Sequence, residues 1–173
     1  MTAVEVFEIT SQGGATDFAE VVAICQSLGP YCLIGGLAVN CYAEPVYTMD
    51  ADLVLIPPQN QALIGRLSQS GFRVKNVPHS INAHRGGSQL RIQFTTDSRY
   101  ADFPSRALQK VVLEQTVSVA ALEDVFQGKL WAWADPERRL SKRKKDELDL
   151  IRLAEAWPGL RAKLPPELGG LFM

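Results

Sequence analysis

The sequence has almost no net charge and no long apolar run. Its 173 residues include 18 lysines and arginines against 19 aspartates and glutamates, and 46% of them are hydrophobic. This composition excludes a disordered chain, a collagen-like chain and a polyelectrolyte tail. No stretch approaches the roughly 20 apolar residues that a membrane helix needs. Residues 1–13 carry Glu5 and Glu8 where a secretory signal has a basic flank and an apolar core, so we predict a cytoplasmic protein without membrane contact.

Cysteine and histidine are also scarce. The three cysteines, Cys25, Cys32 and Cys41, are odd in number and lack short paired spacing, which argues against a disulfide framework and a four-ligand zinc site. Because they lie among apolar residues, we predict that they are small buried side chains. The spacing of His79 and His84 suits neither one helical face nor a common zinc ligand set, so we expect loop residues there.

Helical and strand patterns alternate along the chain. Apolar residues at helical spacing predict helices over residues 17–28, 37–43, 59–70 and about 141–157, and another that begins at Leu122. Short apolar or alternating runs predict strands over residues 31–34, 50–56, 72–77 and 90–95, and a further one near 117–120. Residues 85–88 are predicted to form the turn between the strands 72–77 and 90–95.

These elements predict one α/β (α+β) domain over residues 1–173. We expect its core at about 16–120, a C-terminal helical part at about 121–158, and a loosely held tail after that. After Asp50 and Asp52, residues 50–56 are apolar on both faces, which predicts a central strand covered on both sides. Pro57-Pro58 are predicted to end it.

Two aspartates open that strand. Asp50 and Asp52 are two residues apart, so their carboxylates leave the same face about 7 Å apart. Two such carboxylates can share a divalent cation, which offsets their mutual repulsion. The alternative is an ordinary exposed strand end. A calcium-binding loop is excluded, because Leu55 and Gln61 stand where that loop needs glycine and glutamate.

A glycine pair separates the apolar run 31–34 from the next helix. Gly35-Gly36 lack the spacing of a dinucleotide site, and Gly128-Lys129 is followed by Leu130 where a P-loop needs serine or threonine. Backbone N–H groups at such a turn suit a phosphate. A simple tight turn is the competing interpretation.

The order of these features resembles a known signature. An apolar strand, Gly35-Gly36, and then Asp50-Ala51-Asp52 opening a second apolar strand is similar to the nucleotidyltransferase fold related to DNA polymerase beta. Residues 47–53, with Lys129 and the segment 145–150, look like the branch that contains the abortive-infection toxins of bacterial toxin–antitoxin systems. The resemblance covers about residues 20–157. It implies a small mixed sheet flanked by helices with a C-terminal helical segment.

The resemblance also implies a chemistry. Gly35 and Gly36 would hold the triphosphate of a nucleoside triphosphate, while Asp50 and Asp52 would bind Mg2+ and act as the catalytic carboxylates. The transferred nucleoside monophosphate would pass to a hydroxyl of RNA or protein, and a cognate antitoxin would be a partner. A third carboxylate on a later strand normally completes such a site.

That third position departs from the pattern. The strand 90–95 aligns Gln93 with the third acid, and glutamine cannot ionise or act as a base. Asp97 is the candidate substitute, although strand geometry places it about 13 Å further along the same face.

Two cationic features lie in the C-terminal half of the sequence. Lys129 falls inside the apolar stripe of the helix that begins at Leu122, so it either extends to solvent or meets an anion, for which the resemblance favours a phosphate. Residues 138–145 contain six cations, which is typical of a solvated helix face or, alternatively, of a nucleic-acid contact.

Three functional hypotheses follow. The first is a Mg2+-dependent nucleotidyltransferase that modifies RNA or protein as the toxin of a toxin–antitoxin pair. The second, suggested by Gln93, is a catalytically degenerate module that binds a nucleotide, RNA or a partner. The third is an enzyme that nucleotidylates a small molecule such as an aminoglycoside, which would require an acidic cleft for a cationic substrate.

Overall fold

A mixed seven-stranded β-sheet forms the centre of the molecule in a computed structural model, which describes residues 1–56 and 59–173. Its strands are β1 (Tyr31–Ile34), β2 (Asp50–Leu55), β3 (Arg73–Val77), β4 (Ser80–His84), β5 (Arg91–Thr95), β6 (Leu108–Val112) and β7 (Gln115–Val119). They lie in the order β3-β4-β5-β2-β1-β7-β6. The pairs β2–β5 and β1–β7 are parallel, and the other neighbours are antiparallel.

Helices pack against this sheet in two groups. They are α1 (Ala3–Thr10), α2 (Gly14–Leu28), α3 (Gly35–Val39), α4 (Asn60–Gln69), α5 (Leu122–Ala134), α6 (Leu140–Ala156) and α7 (Pro166–Gly169). Helix α2 contacts α1 and α4, whereas α5 contacts α3 and α6. The predicted fold class, a small mixed sheet flanked by helices with a C-terminal helical segment, is confirmed.

Strand β2 is the middle strand of the seven, as predicted. Leu53, Val54 and Leu55 are all buried, so both of its faces are covered beyond the two aspartates. Hydrophobic burial therefore fixes the position of β2 in the sheet, and only the start of the strand carries polar residues. The predicted end of this strand, Pro57-Pro58, lies outside the described residues.

The strand assignment between residues 72 and 95 needs a correction. The predicted pair 72–77 and 90–95 does not form a hairpin through residues 85–88, because β4 lies between them and pairs with both β3 and β5. The pattern of β4 is weak since only Ile81 and Ala83 are apolar. His79 lies in the β3–β4 turn with a left-handed φ of 68°, and His84 ends β4 and is not in a loop.

Both ends of the chain are more structured than the sequence indicates. Helix α1, which has no counterpart in the prediction, starts with a capping box formed by Thr2 and Glu5 and buries Phe7. The tail is not loosely held, since Leu160, Leu164 and Leu168 are buried in the core. Each of these segments has only a few apolar residues, so its order depends on packing that local patterns do not reveal.

The cysteines behave as small hydrophobic side chains. Cys25 and Cys32 are fully buried and Cys41 is half-buried, and all three are free thiols. Burial raises the pKa of Cys25 to about 12, so this thiol stays protonated and unreactive. None of the helices formed by the described residues has both the length and the apolar character needed to span a bilayer.

Candidate active site

The two aspartates lie where β2 enters the sheet. Asp52 is paired with Ile34 on β1 and with Gln93 on β5, and Asp50 is paired with Arg91 on β5. The alternate residue Ala51 is completely buried, whereas both aspartates are partly exposed. The alternation of the strand therefore turns the two carboxylates to one side, as predicted.

Gly35 follows β1 directly and lies against Asp52. Its φ is +70°, and a Cβ atom there would be 2.3 Å from Oδ2 of Asp52. Only glycine fits this position, because any side chain would have the wrong backbone conformation and would displace the carboxylate. A Cβ on Gly36 would instead meet Thr48 at 3.5 Å, an ordinary contact. The backbone of Gly35 thus packs directly against the Asp52 side chain, in space that a side chain at position 35 would fill.

Asp50 carries a cation on each of its carboxylate oxygens. Arg91 donates from Nε to Oδ1 at 2.7 Å, and Lys142 on α6 donates from Nζ to Oδ2 at 2.9 Å. Burial alone would raise the pKa of Asp50, but the hydrogen bond and charge of Lys142, together with Arg91, bring the pKa below its ordinary value. Asp50 is therefore ionised and already neutralised in the protein.

Asp52 has the opposite electrostatic environment. Burial raises the pKa of its carboxyl to about 6, and the nearby charge of Asp50 adds to the rise. The charges of Lys129, Lys142 and Arg138 lower the pKa without compensating for burial. The ionised form of Asp52 is consequently under-neutralised, and an additional positive charge at this position would stabilise it.

Lys129 does not extend to solvent. Its side chain is 12% exposed, and its Nζ lies 2.9 Å from Asp146 and 2.8 Å from Asp149, both on α6. Burial works against the charged form, but these two carboxylates raise the pKa of Lys129, so it stays protonated. The predicted anion on the apolar stripe is thus a pair of aspartates. A phosphate contact by Lys129 stays a prediction, and its charge does reach Asp52.

The third acidic position of the resemblance is occupied by Gln93. The register places Gln93 directly beside Asp52, and its side chain is exposed on the same side of the sheet. Asp97 lies beyond the end of β5 and accepts hydrogen bonds from Arg99 at both carboxylate oxygens. That contact lowers the pKa of Asp97. In residues 1–56 and 59–173, no three acidic, histidine or cysteine side chains cluster to hold a metal.

Sequence reasoning missed the contribution of the cationic run at residues 138–145. Lys142 contacts Asp50, and Arg138 contacts Asp146 while its charge also acts on Asp52. We call Arg91, Lys129, Arg138 and Lys142 the site cations. The signal available in the sequence was a dense cationic run, which is more often a solvated face. Both interpretations of this run, as a solvated face or as a nucleic-acid contact, place its side chains in solvent, whereas Arg138 and Lys142 point towards the site.

The donor set suits a magnesium ion that arrives with a nucleotide. Mg2+ is commonly bound by one or two carboxylates together with substrate phosphates and water. Asp50 and Asp52 supply hard oxygen ligands from one side of β2, and Asp52 lacks full charge compensation. The residues present therefore fit such an ion without a third protein carboxylate.

Fold and site together match the signature found in the sequence. A mixed sheet with a glycine turn against an aspartate pair on the central strand is similar to the arrangement expected of polymerase-beta-like nucleotidyltransferases. The family model described as nucleotidyl transferase AbiEii toxin, type IV toxin–antitoxin system, matches residues 30–165, and the chain belongs to this family. The resemblance inferred from the sequence is thereby confirmed.

Solved structures share this fold at low sequence identity. The antibiotic-resistance factor ANT(2'')-Ia matches with a TM-score of 0.62 and 17% identity, over 94% of this chain and 92% of that chain. The lincosamide antibiotic adenylyltransferase LnuA matches with a TM-score of 0.52 and 13% identity, over 88% and 98% of the two chains.

A third structural match is a nucleotidyltransferase-like protein. An antigenic nucleotidyltransferase-like protein from Paracoccidioides brasiliensis has a TM-score of 0.52 and 17% identity, with 92% of each chain covered. No curated protein matches this sequence. At these identities, the structural matches support the fold and not a particular substrate.

Proposed function

We propose that this protein is a bacterial cytoplasmic nucleotidyltransferase. It would transfer a nucleoside monophosphate from a nucleoside triphosphate to a hydroxyl group of RNA or protein. The observation that carries this proposal is the aspartate pair on β2 with the backbone of Gly35 packed against Asp52. Family membership supports nucleotidyl transfer as the general chemistry.

Each part of the site has a separate task in this reaction. Asp50 and Asp52 would hold Mg2+, which supplies positive charge to the phosphate oxygens when it is bound. The backbone N–H groups at Gly35 and Gly36 would donate to the triphosphate. The acceptor hydroxyl oxygen forms a bond to the α-phosphorus, the bond to the β-phosphate oxygen breaks, and pyrophosphate leaves.

The proton of the acceptor hydroxyl has no carboxylate acceptor at position 93. General-base catalysis contributes roughly 10²- to 10⁴-fold, whereas positioning and electrostatic stabilisation supply most of the acceleration of phosphoryl transfer. We therefore propose that the proton passes to water and that transfer is slower than with a third carboxylate. The same glutamine supports a second candidate function, a degenerate module that binds a nucleotide, RNA or a protein partner without transfer.

Exposed cations beside the site favour an anionic acceptor. The site cations are largely offset by Asp50, Asp146 and Asp149. Arg91 is nevertheless 65% exposed on β5, and Arg139 and Lys145 are exposed near the start of α6, the helix that carries Lys142. Electrostatic attraction would draw an RNA backbone to this surface and would oppose a cationic aminoglycoside. We therefore prefer RNA or protein over a cationic small molecule as the acceptor.

The biological role we propose is that of a toxin with a cognate antitoxin. The family description supports this role, and the proposal predicts that expression without an antitoxin slows bacterial growth. Growth should recover in the Asp50→Ala variant if transferase activity causes the toxicity. Equal growth inhibition by the wild type and the Asp50→Ala variant would show that toxicity does not depend on this site.

The deciding experiment is label transfer from each of the four α-labelled nucleoside triphosphates to total cell RNA or protein. It compares the wild type, Asp50→Ala and Gln93→Asp with Mg2+ and with chelator. Transfer by the wild type and its loss in Asp50→Ala are the expected results. Nucleotide binding without transfer by the wild type, with transfer gained in Gln93→Asp, would refute catalysis and favour the binding module.

A further inference from the structure

The carboxylate of Asp50 is fully engaged before any ligand arrives. One oxygen accepts a hydrogen bond from Arg91, and the other accepts one from Lys142. Divalent cations bind carboxylate oxygens directly, usually at one or both oxygens. A metal ion that uses Asp50 must therefore compete with a cation of the protein itself.

Lys142 is placed to be that competitor. It lies 92 residues from Asp50 in the sequence and reaches the carboxylate from the first turn of α6. Its positive charge also acts on Asp52, so the ammonium is within electrostatic reach of both carboxylates. Arg91, in contrast, pairs with Asp50 across neighbouring strands and is 65% exposed.

Lys142 also differs from Lys129 and Arg138 in how firmly it is held. Lys129 is bound by Asp146 and Asp149, and Arg138 by Asp146. Among the residues that the structure describes, the Lys142 ammonium bonds only to Asp50. Its side chain is 29% exposed on a flexible four-carbon stem, so it can leave Asp50 without rearrangement of α6.

We propose that Lys142 is a resident counter-cation that holds Asp50 in the free protein and moves to the triphosphate when a metal–nucleotide complex binds. This inference rests on the proposed function, because it needs the metal and the nucleotide at the same site. A metal ion that binds without nucleotide must displace the Lys142 ammonium from Asp50, and the ammonium then has no new anionic partner. The metal–nucleotide complex offers the displaced ammonium a phosphate, so Lys142 makes metal and nucleotide binding cooperative.

The test measures metal affinity and requires no turnover. Mn2+ replaces Mg2+ as a paramagnetic probe, and its binding is followed by electron paramagnetic resonance with and without non-hydrolysable nucleoside triphosphate analogues. The variants are Lys142→Met and Lys142→Gln, with Lys142→Arg as the charge-conserving variant. Lys144→Met is the matched control, because Lys144 lies on the same helix and pairs with Glu147 instead of Asp50.

Without nucleotide, we expect Lys142→Met and Lys142→Gln to bind Mn2+ about fivefold more tightly than the wild type, which corresponds to the loss of one partly exposed ion pair. The analogues should tighten Mn2+ binding in the wild type and do so much less in these two variants. Lys142→Arg and Lys144→Met should behave like the wild type.

Unchanged or weaker Mn2+ affinity in Lys142→Met and Lys142→Gln, with binding still dependent on Asp52, would overturn the role of Lys142 and leave the proposed function intact. Binding that is unaffected by Asp52→Asn, or absent from every variant, would overturn both proposals. These outcomes distinguish the two failures.

Discussion

The two aspartates of the site should respond in opposite directions to loss of charge. Asp52→Asn removes an ionised group whose burial is not compensated, whereas Asp50→Asn removes a carboxylate held by Arg91 and Lys142. Asparagine has nearly the same shape, so packing against Gly35 is preserved. In the absence of metal, we expect Asp52→Asn to stabilise the protein and Asp50→Asn to destabilise it.

The gain in free energy of unfolding expected for Asp52→Asn follows from the pKa of Asp52. The pKa of Asp52 rises from 3.8 in the unfolded chain to about 6 in the folded protein. Ionisation of this carboxyl therefore lowers the free energy of unfolding. Above pH 6 this difference amounts to about 3 kcal/mol, and below 3.8 it vanishes because the carboxyl is protonated in both states. The advantage of Asp52→Asn should therefore be absent at pH 3.5, grow between pH 4 and 6, and stay constant above that.

The assay is urea unfolding with chelator present at pH 3.5, 4, 5, 6 and 7.5, reported as the difference from the wild type at each pH. Asp50→Asn is the matched control, with an expected loss of about 1 kcal/mol at pH 7.5 for partly exposed ion pairs. Adding Mg2+ with nucleotide should raise the unfolding temperature of the wild type and not of Asp52→Asn. A pH-independent effect of Asp52→Asn, or destabilisation at pH 7.5, would refute the reasoning.

Three further substitutions test the structural framework. Gly35→Ala should cost roughly 2–3 kcal/mol and weaken Mg2+ binding, because φ is +70° and the new methyl group meets Asp52; unchanged thermal unfolding would contradict this. Lys129→Met should lower the free energy of unfolding by about 3 kcal/mol in urea titrations, since it removes a cation from between two buried carboxylates, and should weaken nucleotide binding. Leu168→Ala should cost roughly 2–3 kcal/mol because Leu168 is buried in the core, and a neutral effect on urea unfolding would contradict this packing.

Much of the site is encoded in short stretches of sequence. The apolar run before Gly35, the alternation that starts at Asp50 and the apolar residues after Asp52 are local patterns that burial and backbone sterics translate directly into structure. The position of Gln93 was also predictable, because strand alternation and the resemblance both align it with the aspartate pair. The register of β2 and β5 places Gln93 beside Asp52.

Weak or distant patterns were not predictable in the same way. Strand β4 contains few apolar residues, and it forms because both β3 and β5 offer it backbone partners. Helix α1 and the C-terminal tail are ordered by a few buried side chains such as Phe7 and Leu168. Such contacts depend on surfaces that exist only once the sheet has formed.

Local residue spacing is enough to predict an α/β domain, the aspartate pair and the glycine turn, and the resemblance of their order to a known signature adds the nucleotidyltransferase fold. The charge balance of the site depends instead on tertiary packing. Lys142 reaches Asp50, and Lys129 meets Asp146 and Asp149, because α5 and α6 pack together over the sheet. The pKa values of the two aspartates differ for this reason, since burial and distant cations act on each carboxylate through space and not along the chain.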